Sequence, residues 1–305
     1  MTEAKTLGEL KKNGVAVLTV REEMRKNLVR HLESGQRILP GIVGYDETVI
    51  PEIENAILSG HHMVFLGERG QGKSRIIRSL IGLLDERIPI IQGCEISDNP
   101  YHPICRVCRK RAAEMGDALP LQWIDRDFRY GEKLATPDVS IADLVGEIDP
   151  IKVAEGRYLA DEETIHYGLV PRTNRGIFAI NELPDLTEKV QVGLFNLMEE
   201  KDVQIKGYKI RLPLDVVIVA SANPEDYTSR GRIITPLKDR FDVQIRTHYP
   251  KKIEDELTIM EQEAAPVSHR SRKVDVPRFL KEVLGHLTFE AVSYTHLTLP
   301  TIYSV

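Results

Sequence analysis

A glycine-rich segment that ends in Lys73-Ser74 has the residue types that bind a nucleoside triphosphate. It fits the pattern GxxxxGK followed by Ser or Thr, with Gly67, Glu68, Arg69, Gly70, Gln71, Gly72, Lys73 and Ser74. Glycines let backbone N–H groups close around a phosphate, and a helix beginning there turns its positive end toward the anion. In such a loop the lysine reaches the β- and γ-phosphates and the hydroxyl ligates Mg²⁺. The segment therefore predicts binding of ATP or GTP with Mg²⁺.

Polar residues also follow two apolar runs of strand length, where ligands sit in open α/β sheets. Asn181 and Glu182 come directly after the run at 177–180, and Asn223 follows shortly after the run at 216–220. We predict that Glu182 orients and polarises the attacking water, and that Asn223 holds this water or the γ-phosphate. A simpler interpretation makes Asn223 a turn former before the proline that follows it.

Asn181 departs from the Asp-Glu pair that nucleotide-hydrolysing proteins usually have at this point. The amide still offers a carbonyl oxygen, but it brings no negative charge to the metal. Outer-shell metal partners change affinity or activity by about 10–100-fold, whereas a catalytic base contributes about 10²–10⁴-fold. We therefore expect Asn181 to hold Mg²⁺ weakly through water and hydrolysis to be slow. A non-hydrolysing ATP-binding switch is the alternative.

Three cysteines and one histidine have a spacing that suits a second metal. Cys94, His102, Cys105 and Cys108 could supply the four ligands of a tetrahedral Zn²⁺ site. In the alternative interpretation, Cys94 packs beside a strand end and the CxxC pair lies in a solvated insertion. The absence of a second CxxC pair favours this alternative.

The elements around these residues predict an α/β fold with a parallel sheet flanked by helices. The apolar run at 62–66 leads into the glycine loop, and apolar residues recur at helical spacing over 76–84. Near-continuous apolar runs are typical of strands buried on both faces. We assign four further strands of the same sheet to the runs at 88–91, 177–180, 216–220 and 243–245.

Composition indicates a globular protein and narrows its partners. The chain has 305 residues, 42% hydrophobic and 29% charged, with a formal net charge of -5. This charge gives no overall attraction to nucleic acid or anionic membranes, so neither is the expected partner. There is no apolar run of about 18 residues, and the first residues lack the apolar segment of a secretory signal. The expected location is the cytoplasm.

Several spaced motifs together resemble the AAA+ ATPases of the magnesium chelatase I-subunit and MoxR-type group. Their order is GIVGYD at 41–46, GERGQGKS at 67–74, the INEL segment, SANPEDY at 221–227 and PLKDRFD at 236–242. The resemblance covers the chain from about Pro40 to Pro250. It implies that Ile42, Val43 and Gly44 lie against adenine, which favours ATP over GTP. It also implies that Asn223 senses the γ-phosphate.

The same resemblance implies an assembly and an activity. Arg240 corresponds to the arginine finger that enters a neighbouring subunit's site, so we expect a homo-oligomeric ring, usually a hexamer. The implied activity is ATP hydrolysis that remodels a protein partner, often one with a von Willebrand A domain. A magnesium chelatase-like complex is a narrower version. The competing hypothesis is a nucleotide-dependent DNA or transcription machine, although no DNA-binding module is visible.

The motifs also suggest how the chain is divided. We predict an accessory helical segment at 1–39, an ATPase core at 40–250 with an insertion at about 98–175, and the start of a helical C-terminal lid at 251–291. The residues at 292–305 begin with VSYTHL, which resembles a translated sequencing adapter, and we expect this tail to be non-native. We then expect the lid to be truncated, and the second arginine sensor that the resemblance implies to lie beyond this sequence.

Overall fold

The computed structural model describes residues 3–154, 164–199, 202–205, 208–223, 232–263 and 276–302, which contain both strands and helices. The strands are β1 (Met63–Leu66), β2 (Arg87–Ile91), β3 (Leu121–Asp125), β4 (Tyr130–Leu134), β5 (Gly146–Ile148), β6 (Ile165–Tyr167), β7 (Gly176–Asn181), β8 (Asp202–Ile205), β9 (Tyr208–Arg211), β10 (Val216–Ala222) and β11 (Val243–Arg246). The helices are α1 (Leu7–Lys12), α2 (Val20–Ser34), α3 (Val49–Ser59), α4 (Lys73–Ser79), α5 (Arg106–Met115), α6 (Ile141–Leu144), α7 (Pro150–Ala154), α8 (Leu169–Arg172), α9 (Glu188–Glu199), α10 (Thr235–Lys238), α11 (Ile253–Glu263) and α12 (Arg278–Ile302).

Five parallel strands form the central sheet, in the order β11-β1-β10-β7-β4. Every residue of β10 is buried, and so is every residue of β7 before Asn181. A strand with two apolar faces needs helices on both sides of the sheet. Two hydrophobic clusters meet this need, with Phe178 and Ile180 in one and Ile177 and Ala179 in the other. The predicted α/β architecture is confirmed.

One strand of the predicted sheet belongs elsewhere. The run at 88–91 is a strand, but β2 pairs antiparallel with β3 in a separate two-stranded sheet. The edge position of the central sheet is taken by β4, which lies inside the range 98–175 assigned to an insertion. Most residues of β4 are only half-buried. A polar edge strand lacks the apolar run that marks a buried one, which is why the sequence pattern missed it.

The accessory segment packs directly on the sheet. In α2, Val20, Met24 and Leu28 are buried in the cluster that also holds residues of β1, β7 and β10. Glu23 of the same helix forms a buried ion pair with Arg129, with 2.5 Å between Oε2 and Nη2. Arg129 precedes β4, so this pair joins the first helices to the edge of the central sheet.

The C-terminal region begins with two packed helices. α11 and α12 lie against each other, and Lys281 of α12 pairs with Glu261 of α11 at 2.9 Å. Both helices begin within the segment 251–291, which is predicted to be helical, and its assignment as a lid stays a prediction. Within the described ranges, none of the helices combines the length and apolar character needed to cross a membrane. The non-native origin of 292–305 stays a prediction.

Candidate nucleotide-binding site

The predicted phosphate loop connects β1 to α4 in the expected order. Gly70 and Gly72 have φ values of 82° and 71°, a region that side-chain-bearing residues rarely adopt. Gly67 is constrained by space, since a Cβ atom there would collide with the side chains of Thr247 and Gln71. α4 begins at Lys73, directly after the loop. The loop glycines therefore permit both the backbone turn and its close packing.

Side chains hold the loop in shape from inside. Gln71 Oε1 accepts hydrogen bonds from the Glu68 amide at 3.0 Å and from Thr247 Oγ1 at 2.7 Å. Lys73 Nζ donates to the carbonyl oxygens of Gly67 at 2.5 Å and Glu68 at 2.6 Å. The lysine is only 7% exposed. Its ammonium group thus lies within the curve of the loop, where a bound phosphate would meet it.

Tyr45 ties the predicted adenine segment to the loop. Its hydroxyl oxygen lies 2.9 Å from the carbonyl oxygen of Gln71 and 2.6 Å from that of His248. The Tyr45 and His248 rings meet edge to face, with centroids 4.9 Å apart. Burial raises the pKa of Tyr45 to about 12, so the phenol keeps its proton at neutral pH.

A cavity of about 230 Å³ opens between the adenine segment and the loop. Its walls include Ile42, Val43 and Gly44 from the predicted adenine segment, and residues 70–72 from the loop. α11 closes another side with Ile259, Gln262 and Glu263. Glu263 forms an ion pair with Arg75 of α4 across the cavity wall. The cavity therefore brings the predicted adenine-binding and phosphate-binding residues together.

The polar tips of β7 and β10 lie at the same edge of the sheet as the loop. β10 is the neighbour of both β1 and β7, and Leu66 and Ala222 are opposite each other. Asn223, 4% exposed, follows β10 directly. The register therefore places Asn181, Glu182 and Asn223 at the carboxyl edge where the loop begins.

Glu182 has an unusual backbone conformation. Its φ and ψ of 57° and 48° are left-handed, which is uncommon for a residue with a side chain. The Glu182 amide donates to Ser221 Oγ at 3.2 Å, and this hydroxyl donates to Asn181 Oδ1 at 3.4 Å. Strained residues held by their surroundings cluster at functional sites. The strained position directly follows the strand that delivers Asn181.

Asn181 has a carboxylate as its partner. Its Nδ2 donates to Glu132 Oε1 at 2.5 Å, from the tip of β7 to the neighbouring strand β4. The Arg78 guanidinium of α4 binds the same carboxylate through two bonds of 2.9 and 3.0 Å. Arg78 is the main reason that the pKa of Glu132 is lowered, and the Asn181 bond lowers it further. A charged Glu132 thus fixes the Asn181 amide with its oxygen toward Ser221.

Other predicted residues lie outside the cavity. Ser74 is exposed in the first turn of α4. Arg240 is not among the cavity-lining residues and packs on α9 instead. It pairs with Glu199 at 2.8 Å and lies 5.7 Å from the centre of the Phe195 ring. Residues 224–227 of the SANPEDY motif fall outside the described residues.

The cysteines come together, but with a different fourth residue. Single ligand atoms from Cys94, Asp98, Cys105 and Cys108 all lie within 4.8 Å of one another. His102, the predicted fourth ligand, is not in this group. His102 is exposed in a bend, whereas Asp98 is completely buried beside the thiols. Spacing could not distinguish the two, because the side-chain directions depend on how the loop after β2 folds.

Sequence reasoning also missed Glu132, Thr247 and Tyr45. Tyr45 lies within the motif at 41–46 and Thr247 directly follows β11, so proximity to recognised segments was the available signal. No such signal pointed to Glu132, because its strand, β4, was not identified from the sequence.

Comparisons with known proteins agree with this geometry. The model of a family described as the Sigma-54 interaction domain matches residues 153–243. Magnesium-chelatase subunit ChlI of Nostoc sp. is 29% identical over 229 residues, which cover 72% of this chain and 57% of that protein. The magnesium-chelatase 38 kDa subunit of Rhodobacter capsulatus is 28% identical over 230 residues, with coverages of 72% and 58%. The chain thus spans less than two thirds of the length of these relatives.

A solved structure shows the same fold. It is a chain from the complex of the BchI and BchD subunits of magnesium chelatase, built on a single-particle cryo-EM reconstruction. The TM-score is 0.54 at 24% identity, and the match covers 87% of this chain and 76% of that one. The phosphate loop, the sheet order and these relatives lead to one assignment. The chain is similar to the AAA+ ATPases, and magnesium-chelatase I subunits are among its relatives.

Proposed function

We propose that this chain binds Mg·ATP and hydrolyses it as one subunit of a ring that remodels a protein partner. The observation that carries the proposal is the cavity between the adenine segment and the glycine loop, at the sheet edge where Glu182 and Asn223 also lie. Each of these parts comes from a different segment of the chain. Their convergence is what a site for ATP requires.

The residues fit this cofactor in shape and chemistry. Two left-handed glycines free the loop to curve around phosphates, and Lys73 supplies the cation inside the curve. Ser74 would bind Mg²⁺ directly, and Asn181 would bind it through water. Both residues offer oxygen atoms, which are the ligands that Mg²⁺ prefers. Bound ATP would supply the phosphoryl group, and its Mg²⁺ would offset the charge that develops on that group. Cavity residues Ile42, Val43 and Gly44 would hold the adenine.

Glu182 is the residue to which we assign the proton transfer. It would orient a water molecule and accept its proton, as a carboxylate does in general base catalysis. The Ser221 bond to its amide fixes the backbone from which the side chain extends. Asn223, at the tip of the adjacent strand, supplies an amide that distinguishes the triphosphate from the diphosphate.

Arg240 is the residue to which we assign the contact between subunits. The Arg240 side chain is 43% exposed, and the side chain of its partner Glu199 is 37% exposed. Ion pairs exposed to this degree contribute about 0–1 kcal/mol. Exchanging Glu199 for a neighbour's γ-phosphate would therefore cost little. A ring, usually a hexamer, follows from such a shared site.

The partner of the ring is proposed from the relatives. The BchI–BchD complex pairs an AAA+ subunit with a second protein, and the curated relatives are magnesium-chelatase subunits. We therefore expect a protein partner, one with a von Willebrand A domain, and metal insertion as the narrower task. The cytoplasm is the proposed location.

ATP binding and turnover in the full-length protein test this proposal. Glu182→Gln should bind ATP and release almost no phosphate, whereas Lys73→Ala should lose binding. Calorimetry and steady-state phosphate release separate the two effects. A parent protein that fails to bind Mg·ATP would overturn the assignment. A parent ring that binds ATP but shows no turnover, with or without partner, would favour the non-hydrolysing switch suggested by Asn181.

A transcription machine is the second candidate, favoured by the match of 153–243 to the Sigma-54 interaction domain. The net charge of -5 argues against a general affinity for nucleic acid. Capture from cells of the organism with the Glu182→Gln ring decides between the candidates. Retention of a protein partner without nucleic acid supports remodelling, and retention of DNA supports transcription.

A further inference from the structure

The loop after β2 and the start of α5 bring three thiols and a carboxylate to one point. Cys94 and Asp98 belong to the loop, Cys105 caps the N-terminus of α5, and Cys108 lies in the first turn of this helix. One ligand atom from each lies within 4.8 Å of the other three. In a tetrahedral Zn²⁺ site, sulfur atoms about 2.3 Å from the metal are about 3.8 Å from each other. A contraction of at most about 1 Å would therefore complete the tetrahedron.

Asp98 provides an independent sign that a cation belongs there. Its side chain is completely buried, and Oδ1 has no hydrogen-bond partner among the described residues. The other oxygen, Oδ2, accepts from the Cys105 amide at 3.0 Å, so the carboxylate is held beside the thiols. A buried carboxylate oxygen without a partner is costly. A metal ion would satisfy it.

Backbone amides support the sulfur atoms as they would support thiolates. The Asp98 amide donates to Cys94 Sγ at 3.4 Å, and the Cys108 amide donates to Cys105 Sγ at 3.3 Å. Charged sulfur atoms accept such bonds more strongly than neutral ones. Both sulfur atoms thus already have an amide donor of the kind that supports a metal-bound thiolate.

Positive side chains lie next to the cluster. A small cavity of about 120 Å³ is lined by all three cysteines together with Arg111 and Lys152. Three thiolates and one carboxylate around a divalent ion leave a net negative charge. Arg111 of α5 and Lys152 of α7 would offset part of this charge, whereas Glu95, which lines the same cavity, adds one negative charge.

We infer that Cys94, Asp98, Cys105 and Cys108 form a structural Zn²⁺ site. The thiolate-rich, closed ligand set is of the kind that selects zinc, because Mg²⁺ and Ca²⁺ prefer oxygen. Cys105 and Cys108 belong to the same hydrophobic cluster as Phe178 of β7. The metal would therefore join the loop after β2 to the start of α5, whose cysteines pack in the hydrophobic cluster on one face of the central sheet. This role is independent of ATP turnover.

Metal content of the purified full-length protein tests the inference. Protein prepared with reductant and without chelator should contain about one zinc per chain. His102→Ala is the matched control, since it removes the histidine between Asp98 and Cys105 in the sequence without touching the cluster, and it should keep the metal. Cys105→Ser should lose it. Asp98→Asn should release its zinc at a chelator concentration at which the parent protein keeps its zinc.

A second measurement covers the case in which Cys105→Ser fails to fold. When the thiols of the parent protein are titrated with a mercurial, zinc should be released in proportion to the thiols modified. A zinc-sensitive dye follows the release. Co²⁺ exchanged into the parent should give thiolate charge-transfer bands and the visible bands of a tetrahedral ion. Failure to find zinc or to bind Co²⁺ under reducing conditions would overturn the inference. So would loss of metal in His102→Ala, or a disulfide among the three cysteines in freshly purified protein.

Discussion

The side-chain amide of Asn181 donates to the carboxylate of Glu132, with 2.5 Å between Nδ2 and Oε1. An aspartate at position 181 would face this carboxylate with a charge of the same sign. The negative charge that is absent from the end of β7 is thus present on the next strand. Arg78, on the helix that follows the phosphate loop, forms an ion pair with the Glu132 carboxylate.

Asn181→Asp should lower the Mg²⁺ concentration needed for half-maximal turnover, because a carboxylate holds the metal better than an amide. The expected change is about 10-fold or more, within the range for outer-shell metal partners. In the absence of Mg²⁺, the same substitution should destabilise the fold through repulsion between residues 181 and 132. Phosphate release across a magnesium titration and thermal unfolding without nucleotide measure the two effects.

The double variant Asn181→Asp with Glu132→Gln separates these effects. It restores one carboxylate and one amide in exchanged positions, so thermal stability should return toward that of the parent. The lower magnesium requirement should persist. Equal stability of the single and double variants would show that the two side chains do not interact.

Lys73→Ala should weaken ATP binding at least tenfold. Charge-assisted hydrogen bonds contribute about 1.5–3 kcal/mol each, and Lys73 is the cation inside the loop. Calorimetry with Mg·ATP measures the change. Lys26→Ala removes a surface lysine that pairs with Asp85 at 3.8 Å, and it should leave affinity unchanged. Unaltered ATP affinity in Lys73→Ala would refute the assignment of the phosphate loop.

Arg240→Ala should keep ATP binding and lose turnover in the assembled protein. Arginine fingers accelerate phosphoryl transfer by about 10³–10⁵-fold. Mixing these subunits with Lys73→Ala subunits should restore part of the activity, since each supplies what the other lacks. Glu199→Ala removes the ion pair within the chain and keeps the arginine, so its turnover should persist. If Glu199→Ala is as inactive as Arg240→Ala, the arginine acts through the ion pair and not on a neighbour.

His62 should make the stability of the protein depend on pH. Burial, with the nearby charge of Arg21, lowers the pKa of this histidine from 6.5 to about 3. Between these two values the unfolded chain binds a proton that the folded chain excludes. The free energy of unfolding should therefore fall as pH decreases from 6.5 toward 3, by at most about 1.4 kcal/mol per pH unit from this residue.

Denaturant titrations at several pH values measure this dependence. His62→Asn retains a side-chain acceptor for the Ile218 amide, which bonds to His62 Nδ1 at 3.0 Å. This variant should have a shallower slope than the parent below pH 6.5. His102→Ala, an exposed histidine, should keep the parent slope. An unchanged slope in His62→Asn would assign the acid sensitivity to other groups.

The parts of the site that were predictable from sequence are those set by neighbours along the chain. The glycines, Lys73 and Ser74 lie within one eight-residue segment, Asn181 directly follows an apolar run, and Asn223 comes shortly after another. Once the strands are identified and taken to be parallel, their carboxyl ends lie at one edge of the sheet, and these segments meet there. Local pattern was sufficient because each piece of the site is local.

The parts that were missed depend on contacts between distant segments. Glu132 reaches Asn181 only because β4 occupies the edge of the sheet, and its half-buried residues carry no strand signal. The choice of Asp98 over His102 depends on which side chain the loop turns inward. Neither outcome follows from spacing, since both are decided by packing against the rest of the fold.

The buried pair of Glu23 and Arg129 defines the smallest piece of this chain that can be isolated. The motifs begin at about residue 40, so an ATPase fragment cut there would be the obvious choice for expression. That cut would strip a buried guanidinium of its counter-charge, because Arg129 is 1% exposed and Glu23 leaves with α2. Removing one partner of a buried pair costs about 3–5 kcal/mol, much of the stability of an ordinary domain. The boundary for domain dissection therefore lies before α2, at Thr19 or earlier.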